Sequence, residues 1–183
     1  MDFSRYLSRL APLYTQGGEP LQLRGGAPEQ ELRAAERELG FALDPQLRRA
    51  WQQADGGRRW QAVFARPGFY TGYEFLPLSE ALRQRRAMAE RAPRYGGYVQ
   101  PHERDARIRP GWYQEGWLPF ASFGGASLLL ILDHAPAAQG RRGQVIAFTH
   151  DPDTIDHVSE DFAGLLQASL QQIEADPEEF IME

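Results

Sequence analysis

Three observations predict an α+β fold, a single domain with a mostly antiparallel sheet and helices packed against one face. The first is the run Leu128 to Leu132, uninterrupted in its apolar character and of strand length. The second is its neighbours: strand-like stretches at Leu118 to Phe123 and Gln144 to Thr149 flank it, the latter entered through the Gly143-Gln144-Val145 turn. The third is the set of helical patterns before and after this block, which together with the strands give an α+β domain.

Taken in order, the elements begin with a helix that places Phe3, Tyr6, Leu7 and Leu10 on one face and is expected to end at Pro12. Glycine pairs at Gly17-Gly18 and Gly25-Gly26 bracket a short extended piece. A helix then starts at Pro28 and stops at Gly40, with proline at the start and glycine just past the end. Asp44 caps the next, with Pro45 in its first turn and Leu47, Ala50, Trp51 and Ala54 as its apolar stripe. Trp60 to Phe64 and Tyr73 to Leu76 read as strands, and Ser79 to about Ala92 as a helix that Pro93 cannot extend. Residues 93–116 carry the least pattern. Beyond Leu128 to Asp133 and Gln144 to Thr149, a last helix runs from Ser159 to about Ala175, with Phe162, Leu165, Leu166, Leu170 and Ile173 on one face.

Composition narrows the class. The 183 residues suffice for one core, and 42% hydrophobic content is ordinary for a globular domain. No apolar run approaches the length of a membrane span. The first residues, MDFSRYLSRLAPLY, put Asp2 where a signal peptide needs positive charge, so the expectation is a cytoplasmic protein. With no cysteine, disulfides and thiolate nucleophiles are excluded. Every basic residue other than histidine is arginine and asparagine is absent, a bias that fits a GC-rich bacterial genome.

Charge is uneven along the chain. Arg83 to Pro110 holds eight arginines against three acids, whereas Asp151 to Glu183 holds ten acids and no arginine. The pattern predicts two surfaces of opposite potential, either of which would steer a partner of matching sign. Asp151, Asp153, Asp156 and Glu160 are the candidate partner-binding acids, expected to be exposed. Trp112 and Tyr113, in the unpatterned segment, are the candidate aromatic anchors, and Asp133 at the end of the apolar run joins them.

Other chemistries find no support. His150, Asp151, Asp153, Asp156 and His157 cluster at a strand-to-helix junction, with His134 near if the strands pair, yet neither zinc-protease nor EF-hand spacing is met, so no metal site is expected. There is no phosphate loop, dinucleotide fingerprint or nucleophile elbow, so neither cofactor nor catalysis is expected. The arginine-rich stretch lacks any nucleic-acid-binding motif, and no direct nucleic-acid partner is expected.

The ordered set Pro28, Glu36, Gly40, then Pro45, Asp55, Gly56, then Trp117, Gly125 and Asp133 resembles the SUKH superfamily, named for the yeast Smi and Knr cell-wall regulators and containing many bacterial toxin-immunity proteins. Pro28, Leu32, Glu36, Leu39 and Gly40 fill its first helical pattern; Leu43, Pro45, Leu47, Arg48, Asp55 and Gly56 fill its second. Phe75, Leu76, Pro77 and Leu78 follow, then Trp117, Pro119, Gly125, Asp133, Pro136 and Gly143-Gln144-Val145. Residues 1–26 then form an N-terminal helix and extension, and 27–183 a SUKH-like domain. What the resemblance implies is a non-enzymatic bacterial immunity protein that occludes the active site of a cognate toxin, the toxin's groove being basic if the acidic surface meets it. The alternative it implies is a regulatory or scaffolding adaptor of the Smi/Knr type.

Overall fold

The computed structural model describes residues 1–181. Its centre is a six-stranded sheet in the order β1-β2-β3-β4-β5-β6, every pair antiparallel. The strands are β1 (Phe64–Ala65), β2 (Gly72–Phe75), β3 (Trp117–Phe123), β4 (Leu128–Asp133), β5 (Gln144–Thr149) and β6 (Thr154–Ser159). Helices α1 (Phe3–Gln16), α2 (Glu29–Leu39) and α3 (Pro45–Gln53) precede it, α4 (Leu78–Arg91) and a short 3-10 turn (Ala92–Tyr95) lie between β2 and β3, and α5 (Phe162–Ala175) and α6 (Pro177–Ile181) close the chain.

The apolar run is continuous because both faces of β4 are buried. Successive side chains of a strand alternate, so Leu130 and Leu132 join one core while Leu129 and Ile131 join a second core on the other side. The first is the helical face: Tyr6, Leu10 and Tyr14 of α1, Trp51 of α3 and Phe162, Leu166 and Ile173 of α5 pack on Phe64, Phe75 and Phe120. The second is covered by Met88 at the end of α4 and, chiefly, by residues 92–116. Ile108 and Trp112 are buried there, and Tyr95 stacks on Trp112 with ring centroids 4.2 Å apart and planes at 7°. The least patterned part of the sequence is therefore the cover of the sheet's second face.

Two helix boundaries expected from the sequence need correction. The first helix does not end at Pro12 but continues to Gln16. Proline costs it one backbone hydrogen bond, and the burial of Tyr14, one turn beyond Leu10, outweighs that loss. The stretch before α5 is a strand, β6, and the helix begins only at Phe162, where the Asp161 carboxylate accepts from the Gly164 N–H at 2.8 Å. Asp156 and His157 stand between Ile155 and Val158, so the strand shows no apolar alternation.

Both margins of the sheet are met by side chains. At β1 the Tyr6 hydroxyl donates to the Val63 carbonyl at 2.5 Å, the Tyr14 hydroxyl to Ala62 at 2.7 Å, and the Ala65 N–H donates to Ser169 Oγ at 2.8 Å. Along β6 the 92–116 segment runs in step with the strand. Tyr98 donates to the Asp153 carbonyl, Gln100 accepts from Ile155 N–H, His102 meets Asp156 and Arg107 meets Glu160. Among the described residues no helix is long and apolar enough to cross a membrane.

Candidate functional site

The acids singled out from the sequence lie on the β5–β6 hairpin, and they are not the free anionic surface expected. Asp156 sits between Arg66 at 2.9 Å and His102 at 2.7 Å. Burial opposes its ionisation, yet hydrogen bonds from His102 and Arg66 hold it below the usual carboxylate range. Asp153 keeps 11% of its side chain exposed, accepting from the Trp112 indole N–H at 2.6 Å and pairing with His150 at 2.6 Å. Glu160 is exposed but pairs with Arg107 at 2.5 Å. Asp151 alone of the four is exposed without such a partner among the described residues. The arginines missing from the local sequence arrive from elsewhere: Arg66 and Arg107 on this hairpin, Arg141 on Asp161 and Arg9 on Glu174. Asp156, Glu160, Asp161 and Glu174 are thus each paired with an arginine, and only Arg107 among these comes from the arginine-rich stretch.

Burial corrects the remaining expectations. Trp112 is 3% exposed, a member of the second core, while Tyr113 is only partly covered. Asp133 is fully buried; its carboxylate accepts from the Ala135 N–H and from Gln144 Nε2, both at 2.9 Å, and so ties β4 to the turn that leads into β5. Burial holds its carboxyl above the usual range. The histidines are divided among separate partners, His134 lying at the opposite end of β5 from His150, and among the described residues no three His, Asp or Glu side chains are grouped to hold one metal ion.

His134 has a consequence for stability. Buried beside Phe41 with Nδ1 3.2 Å from the Gly116 carbonyl, it is lowered from 6.5 to about 4, by burial first and then by the charge of Arg142. The folded state refuses a proton that the unfolded chain accepts, so this contribution is complete above 6.5 and is lost as pH falls toward 4. His157 is lowered too and adds the same sign, whereas Asp133, raised, favours the folded state at lower pH. Urea denaturation should show a loss of about 2 kcal/mol from the His134 contribution between about pH 7 and pH 5. His134→Gln should remove that loss, and an unchanged pH slope in the variant would refute the assignment.

A different surface has the character of a contact site. At the β1–β2 end of the sheet a cleft of about 600 Å³ opens between the α1–α2 connection, the turn before β1, the β1–β2 loop and α6. Of the four large hydrophobic side chains exposed among the described residues, three line it: Trp60 at 65%, Tyr70 at 76% and Phe123 at 40%. Trp60 is held out by its backbone. Its φ is 68°, a left-handed conformation unusual for a bulky residue, and its N–H donates to the Glu74 carboxylate at 3.0 Å. The Arg59 guanidinium lies over its ring at 4.7 Å. Sequence reading placed Trp60 inside a strand, and nothing in residue type alone reveals a positive φ; the polar turn Gly56-Gly57-Arg58-Arg59 just before it was the available signal.

Residues 26–168 match the SMI1 / KNR4 family (SUKH-1). The chain belongs to that family. No curated protein matches it. Residues within the matched span hold the scaffold together: Asp44 caps α3 through Gln46 and Leu47, Trp51 donates its indole N–H to the Leu76 carbonyl, and Asp55 accepts from Leu78 N–H at 2.7 Å to start α4. Gly56, at φ 87°, has no room for a side chain, since a Cβ there would lie 2.6 Å from the Pro77 nitrogen. The aromatic cleft is different in kind. Tyr14, Gly17 and Glu19 on one wall and Glu179, Phe180 and Ile181 on another fall outside the residues that the SUKH-1 match covers.

Proposed function

We propose that the chain is a bacterial immunity protein that acts in the cytoplasm by binding a cognate toxin against the Trp60 cleft, covering the toxin's active site and performing no chemistry. The observation that carries this reading is the cleft's composition. A tryptophan and a tyrosine stand exposed at one end of the sheet, the residue types that anchor protein interfaces, and part of the wall comes from segments outside the family match. A scaffold shared by a family and a contact surface built from its extensions suit a protein that must recognise one partner among many.

The test is protection in cells. If the neighbouring reading frame encodes a large secreted protein, its C-terminal domain is expressed with and without this chain, and growth is measured. Wild-type chain should restore growth, whereas Trp60→Gly combined with Tyr70→Ala should not. Trp60→Gly is expected to leave stability within about 0.5 kcal/mol of the parent, because relief of the left-handed backbone offsets the added freedom of the unfolded chain. Failure of the wild-type chain to protect would reject the immunity reading, and stable recovery of a non-toxic signalling or cell-wall enzyme would favour the adaptor.

A further inference from the structure

We infer that the Trp60 cleft accepts a cationic side chain, arginine above all, presented on a surface loop of the partner protein. The inference rests on the cleft being the contact surface, and it adds what the cleft recognises.

Two features of the cleft point the same way. Its aromatic surface already binds a guanidinium, for Arg59 lies over the Trp60 ring at 4.7 Å, and Trp60 and Tyr70 remain 65% and 76% exposed to a cation from outside. Its charges are also unbalanced toward acid. Glu19, Glu74 and Glu179 line it against Arg58 and Arg59. Arg58 is engaged by Glu19 at 3.4 Å, and Arg59 forms no ion pair among the described residues, being stacked on Trp60. Glu74 spends Oε1 on the Trp60 N–H, which leaves its other oxygen, and Glu179 enters no ion pair among the described residues. A planar cation that stacks on a ring and offers a fork of donors to a carboxylate matches this arrangement better than an ammonium does, and an anion would meet excess negative charge.

The position of the tryptophans makes the inference measurable. Trp51, Trp112 and Trp117 are at most 3% exposed, so a ligand in the cleft reports through Trp60. The probe is a blocked peptide with one arginine between glycines, compared with the same peptide carrying citrulline, which keeps the shape and loses the charge. The arginine peptide should change Trp60 emission saturably, with a dissociation constant of about 1 to 10 mM, and citrulline should bind about tenfold more weakly. Glu179→Gln together with Glu74→Gln should erase most of that difference. An emission change that does not saturate, or one equal for the two peptides, or one indifferent to the paired substitutions, would overturn the inference. Because the titration contains no toxin, its failure alongside intact protection in cells would remove arginine recognition alone, whereas a positive titration without protection would remove the immunity reading alone.

Discussion

Leu130→Ala is expected to lower stability by about 2 to 5 kcal/mol, and Trp112→Ala by about 3 to 5. Leu130 is fully buried on a strand with neighbours on both sides, facing α5 and α1, so its removal leaves a cavity that well-packed aromatic rings cannot collapse into. Trp112 lies on the opposite face. It is wedged between Tyr95 and Phe148, and its indole N–H is the partner of Asp153. Truncating it loses apolar burial and leaves a nearly buried carboxylate short of a donor, adding to the cavity cost. Chemical denaturation of both variants measures the two sides of the sheet separately. A loss under about 1 kcal/mol for Trp112→Ala would mean that residues 92–116 do not seal the second face.

Asp156→Arg is expected to cost about 2 to 4 kcal/mol, while Asp151→Asn should change stability by less than about 0.5. The two residues are five positions apart on one hairpin, and local charge treats them as equivalent. In the fold, reversal at Asp156 drives a guanidinium against Arg66 and His102 where solvent screens poorly, whereas Asp151 stands in water. Pairing Asp156→Arg with Arg66→Asp should recover part of the loss, and the double-mutant cycle isolates the coupling. Equal stability of the two single variants would show that the network is solvent-exposed in solution. The same contrast limits what charge reversal can reveal about binding, since protection lost through Asp156→Arg would reflect a loosened 92–116 segment as much as a lost contact.

The parts of the fold that could be read from the sequence are those written in local chemistry. Asp44 with Pro45 and the Gly40 stop mark helix ends because caps act within a few residues, and β4 and β5 run over the residues expected because a strand buried on both faces has no polar interruption. What was missed depends on contacts distant in sequence. Tyr95, Ile108 and Trp112 cover the sheet as single side chains from irregular backbone, leaving no period to detect. Arg66 reaches Asp156 across ninety residues, so a window of local charge could not register the neutralisation. The exposure of Trp60 depends on one backbone angle, while Trp112, equally aromatic and loop-borne, is buried.

The side chains that occupy the sheet's two margins decide how this molecule can change. A domain that recruits partners by lending them a free strand is bound through its backbone, and its contacts are tied to the ladder that keeps it folded. Here Tyr6, Tyr14 and Ser169 at one border and Tyr98 and Gln100 at the other take up hydrogen-bonding groups that such a partner would need. Recognition is left to whatever residues project from the rim. Substitutions at such projecting residues leave the hydrogen-bonded architecture beneath them unchanged.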